Sequence, residues 1–198
     1  AMAAKALTIS GISISNKGYD GLTTASISGT AAYSGLENGE TFAVTGTPIA
    51  SFASAMVGTG NPVTVIGYTT PSGNYTLTQP TGLMADITAA ILTYTSYTAS
   101  RTYGDANPSF SGTITGFASG DNQSNATTGT LAFSSAATAT SGVGSYAITG
   151  SGLTANNGNY TFVQAANNAT ALTISKAALT ITAEDKTKAY GAALPTLT

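Results

Sequence analysis

Cysteine and histidine are both absent from this chain. Without cysteine there is no disulfide framework, no thiolate metal site, no Cys nucleophile and no Cys–Gln thioester cross-link. Without histidine, the commonest general base and transition-metal ligand is also gone. Charge is scarce: Asp, Glu, Lys and Arg make up 7% of the residues, against about 25% in an ordinary soluble domain. The net charge of −2, with no basic run, argues against a nucleic-acid groove or an anionic membrane patch as partner. No apolar run approaches the roughly 20 residues that a membrane-spanning helix needs, so this stretch is not expected to insert into a bilayer. There is no secretion signal either. Ala1-Met2-Ala3 reads as vector-derived, and the chain stops inside a repeat, so the expectation is an excised piece of a longer protein whose targeting segments lie elsewhere.

The missing charge is replaced by Thr, Ser, Ala, Gly and Asn. Such a surface stays soluble through hydroxyls and amides, a habit of secreted and cell-surface β-proteins. The chain also repeats itself. Asp86 to Gly104 (DITAAILTYTSYTASRTYG) returns as ALTISKAALTITAEDKTKAYG from Ala171 to Gly191, with a shorter echo, ALTISGISISNKGYDG, from Ala6 to Gly21. Three Tyr corners, Tyr19, Tyr103 and Tyr190, recur at spacings of 84 and 87 residues. Two further anchors agree: GNYTLTQ and GNYTFVQ place Tyr75 and Tyr160 85 residues apart, and Val57-Gly58 returns as Val143-Gly144 at 86. The division this predicts is a first module over 4–89, a second over 90–177, and the start of a third over 178–198. Each complete module is long enough to bury one core, covering roughly 60–65% of its unfolded surface.

Short apolar/polar alternations separated by Gly, Asn and Pro turns predict an all-β chain of small, mostly antiparallel modules. Strands are expected over 6–15 with a slip at Gly11, and over 22–32, 42–47, 61–68, 75–79 and 83–88. In the second module they are expected over 91–99, within 109–117, and over 130–134, 145–150 and 160–164, with 119–129 a polar loop. An immunoglobulin-like sandwich and a β-grasp-like arrangement both fit. Ser51 to Val57, with its Ala and Met, decides between them if it is helical. The alternating Leu, Ile, Val and Phe positions should form the core, and the corner tyrosines should pack with their hydroxyls on backbone groups. Only Ala89-Ala90 separates the two modules, and Lys176-Ala177 is as short a joint. Neither is a flexible Gly/Ser or Pro-rich linker. Modules placed end to end with restricted rotation would make a semi-rigid rod.

The corner motifs carry a resemblance. Lys17-Gly18-Tyr19-Asp20-Gly21, followed by Thr23-Thr24 and closed by Gly73-Asn74-Tyr75, resembles the YDG domain of bacterial surface proteins. Arg101-Thr102-Tyr103-Gly104-Asp105 with Asn107-Pro108, closed by Gly158-Asn159-Tyr160, is similar to the MBG domain of YGX type, and Lys188-Ala189-Tyr190-Gly191 with Leu194-Pro195 resembles the start of another. The resemblance implies tandem arrays in large bacterial adhesins and filamentous-haemagglutinin-like exoproteins, and a stalk or adhesive role at the extracellular face of the cell, in cell adhesion or biofilm. It carries over no binding residue.

The side chains that could support chemistry are few. Asp20, Glu37, Glu40, Asp86, Asp105, Asp121, Glu184 and Asp185 fall in or beside turns, and nothing brings two of them into one cleft as a hydrolase would need. No enzyme, cofactor or metal site is expected. A calcium ion at the Asp20 or Asp105 corner, or at Asp121-Asn122, would need more carboxylates than these turns supply. A Lys–Asn isopeptide cross-link would have to start from Lys5, Lys17 or Lys176, and burying such a lysine without partners is costly. Thr-X-Thr pairs such as Thr93/Thr95 read as outward faces of strands. Tyr33, Tyr68, Tyr94, Tyr97 and Tyr146 lie outside the repeat anchors. Of these, Tyr94 and Tyr97 follow the joint, where they would either plug the inter-module contact or line a cleft that stacks on sugars. The expected function is a structural stalk that projects a distal binding region, its partners being neighbouring repeats of the same chain. The alternative is a carbohydrate-binding module for a matrix polysaccharide or host glycan, with Tyr94 and Tyr97 as contacts. The fragment is expected to be monomeric, with Ala178 to Ala183 free to pair edge to edge with a neighbour.

Overall fold

The computed structural model describes residues 3–196; Ala1 and Met2 of the leading tripeptide, and Leu197 and Thr198 of the third repeat, lie outside the described residues. The chain is all-β. In its first half run β1 (Lys5–Ile14), β2 (Lys17–Gly18), β3 (Thr24–Ala25), β4 (Ile27–Ser34), β5 (Thr45–Phe52), β6 (Gly58–Thr69), β7 (Tyr75–Thr78) and β8 (Leu83–Thr88). They form two sheets, ordered β4-β1-β7 and β2-β8-β6-β5-β3. Leu7, Ile9, Tyr33 and Tyr75 from the first sheet and Phe52, Val63, Val65, Ala85 and Ile87 from the second share one buried core. A sheet with one apolar face buries it against another, so the result is a two-layer sandwich. Strand β1 shows the rule at work: Leu7 and Ile9 point inward, the register with β4 slips between Ser10 and Ile12, and Ile14 returns to the core. Gly11 sits at the slip with φ +78°, and a Cβ there would lie 2.3 Å from the Thr30 carbonyl oxygen. Only glycine fits such a bulge.

The second half repeats the plan with β9 (Ala90–Ser96), β10 (Ala99–Thr102), β11 (Gly112–Thr115), α1 (Gln123–Ala126), β12 (Thr127–Ser134), β13 (Gly144–Tyr146), β14 (Thr149–Ala155), β15 (Tyr160–Gln164) and β16 (Leu172–Ser175). Its sheets are β11-β9-β15, β10-β16-β13 and β12-β14. The parallel pair β1/β7, which sets Lys5 opposite Tyr75, returns as β9/β15 with Ala90 opposite Tyr160. The parallel pair β2/β8 returns as β10/β16. In the first half the long β6 pairs with both β5 and β8. In the second half that work is divided: β14 pairs with β12 and β13 with β16. The break between β13 and β14 carries the fully buried Ile148. Among the described residues, β1 to β8 pair only with one another, as do β9 to β16.

Several details differ from the sequence expectation. Most strand pairs are antiparallel, but four are parallel: β1/β7, β2/β8, β9/β15 and β10/β16. A parallel pair joins strands distant in sequence, and local alternation carries no sign of it. Residues 51–57 are not helical. Ser51 and Phe52 end β5, with Phe52 buried opposite Val63, and bends follow. The helix that a β-grasp reading required is therefore missing. Phe42 to Val44 precede β5 rather than opening it. The expected strand 91–99 is interrupted between Ser96 and Ala99. The polar loop 119–129 contains α1, one turn capped by the Asn122 side chain on the Ser124 and Asn125 amides. Beyond Ser175 no strand is present up to residue 196. Leu179 and Ile181, which match the buried Leu7 and Ile9 in the repeat, stand 88% and 89% exposed.

Candidate functional site

The joint between the two modules is where side chains from both halves converge. It begins at the Lys17 corner. The Lys17 ammonium donates to the Asp20 carboxylate at 2.7 Å and to the Leu22 and Thr24 carbonyls at 2.7 and 3.0 Å, and lies 5.4 Å from the centre of the Phe52 ring. Asp20 in turn accepts from the Leu22 amide. With its donors used inside the loop, Lys17 is a non-covalent staple, and the corner it closes is rigid. Arg101 has the same task in the second module. It is buried, and donates to Asn107 and to the Thr102 and Thr138 carbonyls.

The rigid corner holds Tyr19. Its amide donates to the Thr88 carbonyl at 2.8 Å, which fixes it beside the last strand of its module. The ring meets Tyr160 of the second module edge-on, with centroids 5.3 Å apart. The hydroxyl donates to Asp121 Oδ2 at 3.0 Å, and Tyr160 donates to the same oxygen at 2.6 Å. Tyr160 also accepts from the Ala118 amide at 2.9 Å and packs edge-on against Phe117. Alongside, the buried Asn159 accepts from the Val57 amide across the joint at 3.3 Å. Gly21, with φ +78°, brings the corner so near the second module that a Cβ there would stand 2.9 Å from the Ser119 carbonyl.

Burial, and then the Asp121 carboxylate, push the Tyr160 hydroxyl up to about 12. Tyr19 is raised by the same two causes in the same order. Both phenols therefore stay neutral donors at any physiological pH. A single carboxylate accepting two phenols is a charge-assisted clamp, stronger than neutral hydrogen bonds. What the arrangement can do chemically is hold, and what it holds is one module against the next.

The same unit recurs at the other end of the first module, built on Tyr75, which is 7% exposed and has Phe42 of its own module edge-on to it. The turn Glu37–Glu40 closes by the Glu40 amide donating to the Glu37 carbonyl, as Asp121 donates to Ala118. The Tyr75 hydroxyl accepts from the Glu37 amide at 3.2 Å and donates to the Glu40 carboxylate, as Tyr160 does with Ala118 and Asp121. Glu40 raises the Tyr75 hydroxyl above its ordinary value.

The residues singled out from the sequence fall elsewhere. Tyr94 is 4% exposed, stacked on Phe162 and edge-on to Phe133 inside its own module. It offers no face to a sugar and does not plug the joint. Tyr97 is 57% exposed, and no partner brings the two together. The plug is the corner Tyr19, and its hydroxyl takes a carboxylate rather than the backbone group expected of it. The other corner tyrosines do not pack as expected: Tyr103 is 47% exposed and Tyr190 fully so. Lys5 pairs with Glu37, and Lys176 is exposed. Among the described residues no three potential metal ligands gather.

Sequence reasoning named Asp121, Glu40 and Asn159 but missed their role at the joint, because it weighed carboxylates against one another and not against tyrosines. A signal was present. Asn38-Gly39-Glu40 and Ser119-Gly120-Asp121 stand 81 residues apart, each ahead of its own Gly-Asn-Tyr closure.

Fold and joint define a tandem of β modules. Residues 3–82 match the family model of the YDG domain, and residues 92–170 match that of the MBG domain (YGX type). The chain carries the two domains in that order, and such domains are found in surface adhesin-like repeats. No curated protein and no solved structure matches the chain.

Proposed function

We propose that this chain is a structural spacer of a bacterial surface adhesin, working outside the cell to hold a distal binding region away from its surface. The observation that carries this reading is the joint. One residue, Ala89, separates β8 from β9, and Tyr19, Asp121, Tyr160 and Asn159 lock the modules across it. The partners in this role are the neighbouring repeats of the same chain. Shear would be resisted by the ladders between strands and by the clamp, with no covalent staple. The reading includes no catalysis. In support, five of the six carboxylates of the two modules are engaged in structural bonds: Asp20 with Lys17, Glu37 with Lys5, Glu40 with Tyr75, Asp86 with the Gly60 and Asn16 groups, and Asp121 with the two phenols, while Asp105 is exposed. The alternative, glycan recognition through Tyr94 and Tyr97, has Tyr97 as its one exposed ring, since Tyr94 is buried.

Small-angle scattering on the chain and on Tyr19→Ala tests the proposal. The wild type should scatter as one stiff, elongated two-module particle, and the variant should broaden into an ensemble of inter-module angles. A wild type as flexible as the variant, or one that compacts with a glycan, would count against a spacer.

A further inference from the structure

The joint has two complementary halves, and this chain carries a second copy of each. One half is the end of a module that bears a corner tyrosine. The Tyr19 amide is held by Thr88, and the Tyr103 amide is held by the Ser175 carbonyl at 2.9 Å, so Tyr103 stands beside β16 as Tyr19 stands beside β8. Val57, whose amide crosses the joint, has its counterpart in Val143. Both counterparts are open: Tyr103 is 47% and Val143 54% exposed. The glycine of this corner has moved one place, to Gly104, and a Cβ there would meet no atom within 4 Å.

The other half is the receiving face. At the joint it consists of Asp121, Tyr160 and Asn159; on the first module it consists of Glu40, Tyr75 and Asn74. These border an open hollow together with Lys5 and Glu37. Several hydrogen bonds of the two faces correspond, among them the Lys5 amide on the Asn74 carbonyl and the Ala90 amide on the Asn159 carbonyl. The tyrosines of the two faces are about equally buried, Tyr75 at 7% and Tyr160 at 5%, and the faces differ at the asparagine. Asn159 is buried by the module it grips, and its counterpart Asn74 is exposed. Tyr75 uses one oxygen of Glu40, and the carboxylate has capacity for a second phenol, as Asp121 has. Lys5 replaces Ala90 at the rim, and its ammonium is taken up by Glu37.

We propose that the Glu40–Tyr75–Asn74 face is a docking site for the Tyr103 end of a second copy of this chain. The Tyr103 hydroxyl donates to Glu40, its ring lying beside the Phe42 ring that covers Tyr75, and the Val143 amide donates to Asn74. Because the two halves lie on opposite modules the contact is head to tail, and it extends into open-ended chains instead of closing a dimer. This rests on the spacer reading, since it reuses the joint between copies. The covalent connection that makes docking effectively intramolecular at Ala89 is missing between copies, so the affinity is low.

Sedimentation of the full chain over a concentration series into the millimolar range tests the docking, with Tyr103→Phe and Glu40→Ala measured alongside. Tyr103→Phe removes only a hydroxyl from an exposed ring and keeps the fold. The wild type should form oligomers of increasing size. Each variant should associate about tenfold more weakly, the loss of one charge-assisted hydrogen bond. An equimolar mixture of the two variants should form one-to-one pairs ahead of longer chains, because in each pair the unaltered end of one copy meets the unaltered end of the other. A wild type that stays monomeric throughout, or one whose association is unchanged in both variants, as edge pairing through residues 178–183 would leave it, overturns the proposal. A stiff particle that fails to associate sinks the docking alone, and a flexible one sinks the spacer reading as well.

Discussion

Asp121 is one carboxylate shared by two phenols, and its surroundings have a pH signature. Tyr160 is held at about 12 in the folded chain, against an ordinary 10.0. A group whose folded value is raised lends stability that is complete below its unfolded value and is lost as pH rises through the folded one. The chain should therefore keep its melting temperature up to about pH 10 and lose it progressively from there to about pH 12, tyrosinate absorbance rising in the same window. Asp121→Asn should bring the tyrosinate transition down and flatten the melting curve across that interval. Tyr19 is the cleaner probe of the joint, since it is only half-buried and belongs to the other module. Tyr19→Phe keeps the edge-on ring and removes one bond to a charged acceptor, a cost of about 1–2 kcal/mol in the coupling of the modules. If denaturant unfolding of the two modules is no less coupled in this variant, the hydroxyl is not part of the clamp.

Within the strands, the glycines separate into those the fold needs and those it tolerates. Gly150, in β14, faces Tyr94, and a Cβ there would lie 2.6 Å from the Tyr94 Cβ and Cγ atoms. The ring cannot withdraw, because Phe162 is stacked against it 5.4 Å away and Phe133 meets its edge. Gly150→Ala should overpack this layer and cost about 1–3 kcal/mol, read as a fall in the denaturant midpoint of the second module. Gly18, in β2, has no atom within 4 Å of the same added carbon, and Gly18→Ala should be neutral to within about 0.5 kcal/mol. Equal effects at the two positions would refute the packing assigned to Tyr94. The register slips follow the same logic. At the β12/β14 slip Gly129, opposite Leu153, and Gly152 have φ of +98° and +90°, and a Cβ on them would lie 2.1 and 2.0 Å from a carbonyl oxygen of the opposing strand.

For the chain as a unit, the question is whether the two sandwiches move as one. The Val57 amide is a local reporter, since its hydrogen bond runs across the joint to Asn159. In hydrogen exchange, Val57 should be protected in the wild type and exchange freely in Tyr19→Ala, while the core amides of β6 keep their protection. Loss at Val57 together with loss throughout β6 would mean that Tyr19 supports the fold of its own module more than it supports the joint. The exposed Leu179 and Ile181 belong to the same question. In the first module their equivalents, Leu7 and Ile9, lie on β1, which β4 and β7 flank, and are buried in the core shared with the second sheet. Residues 178–196 have no such strands beside them among the described residues, and an apolar alternation without neighbours has nothing to pair with.

How much of this was legible in advance follows from the range of the forces involved. Alternation is local, so the strands of 75–79, 83–88 and 160–164 could be read within a residue or so, together with the β class and the slip at Gly11. The repeat is a comparison of the chain with itself, so the correspondence of Tyr75 with Tyr160 and of Val57 with Val143 needed no coordinates. The resemblance to YDG and MBG domains rested on short motifs in a fixed order, and order survives in sequence. What required the tertiary structure was which distant groups meet. The parallel pairs, the burial of Tyr94 and the exposure of Tyr97 depend on how one sheet covers another, and the two tyrosines look alike in sequence. Asp121 lies 102 residues from Tyr19, and no local pattern joins a carboxylate in one module to a phenol in another. Sequence alone established a tandem of β modules on a short joint. Only the packing of those modules decided that the corner tyrosine is the bolt of that joint, because a hydrogen bond between modules exists only once both have folded.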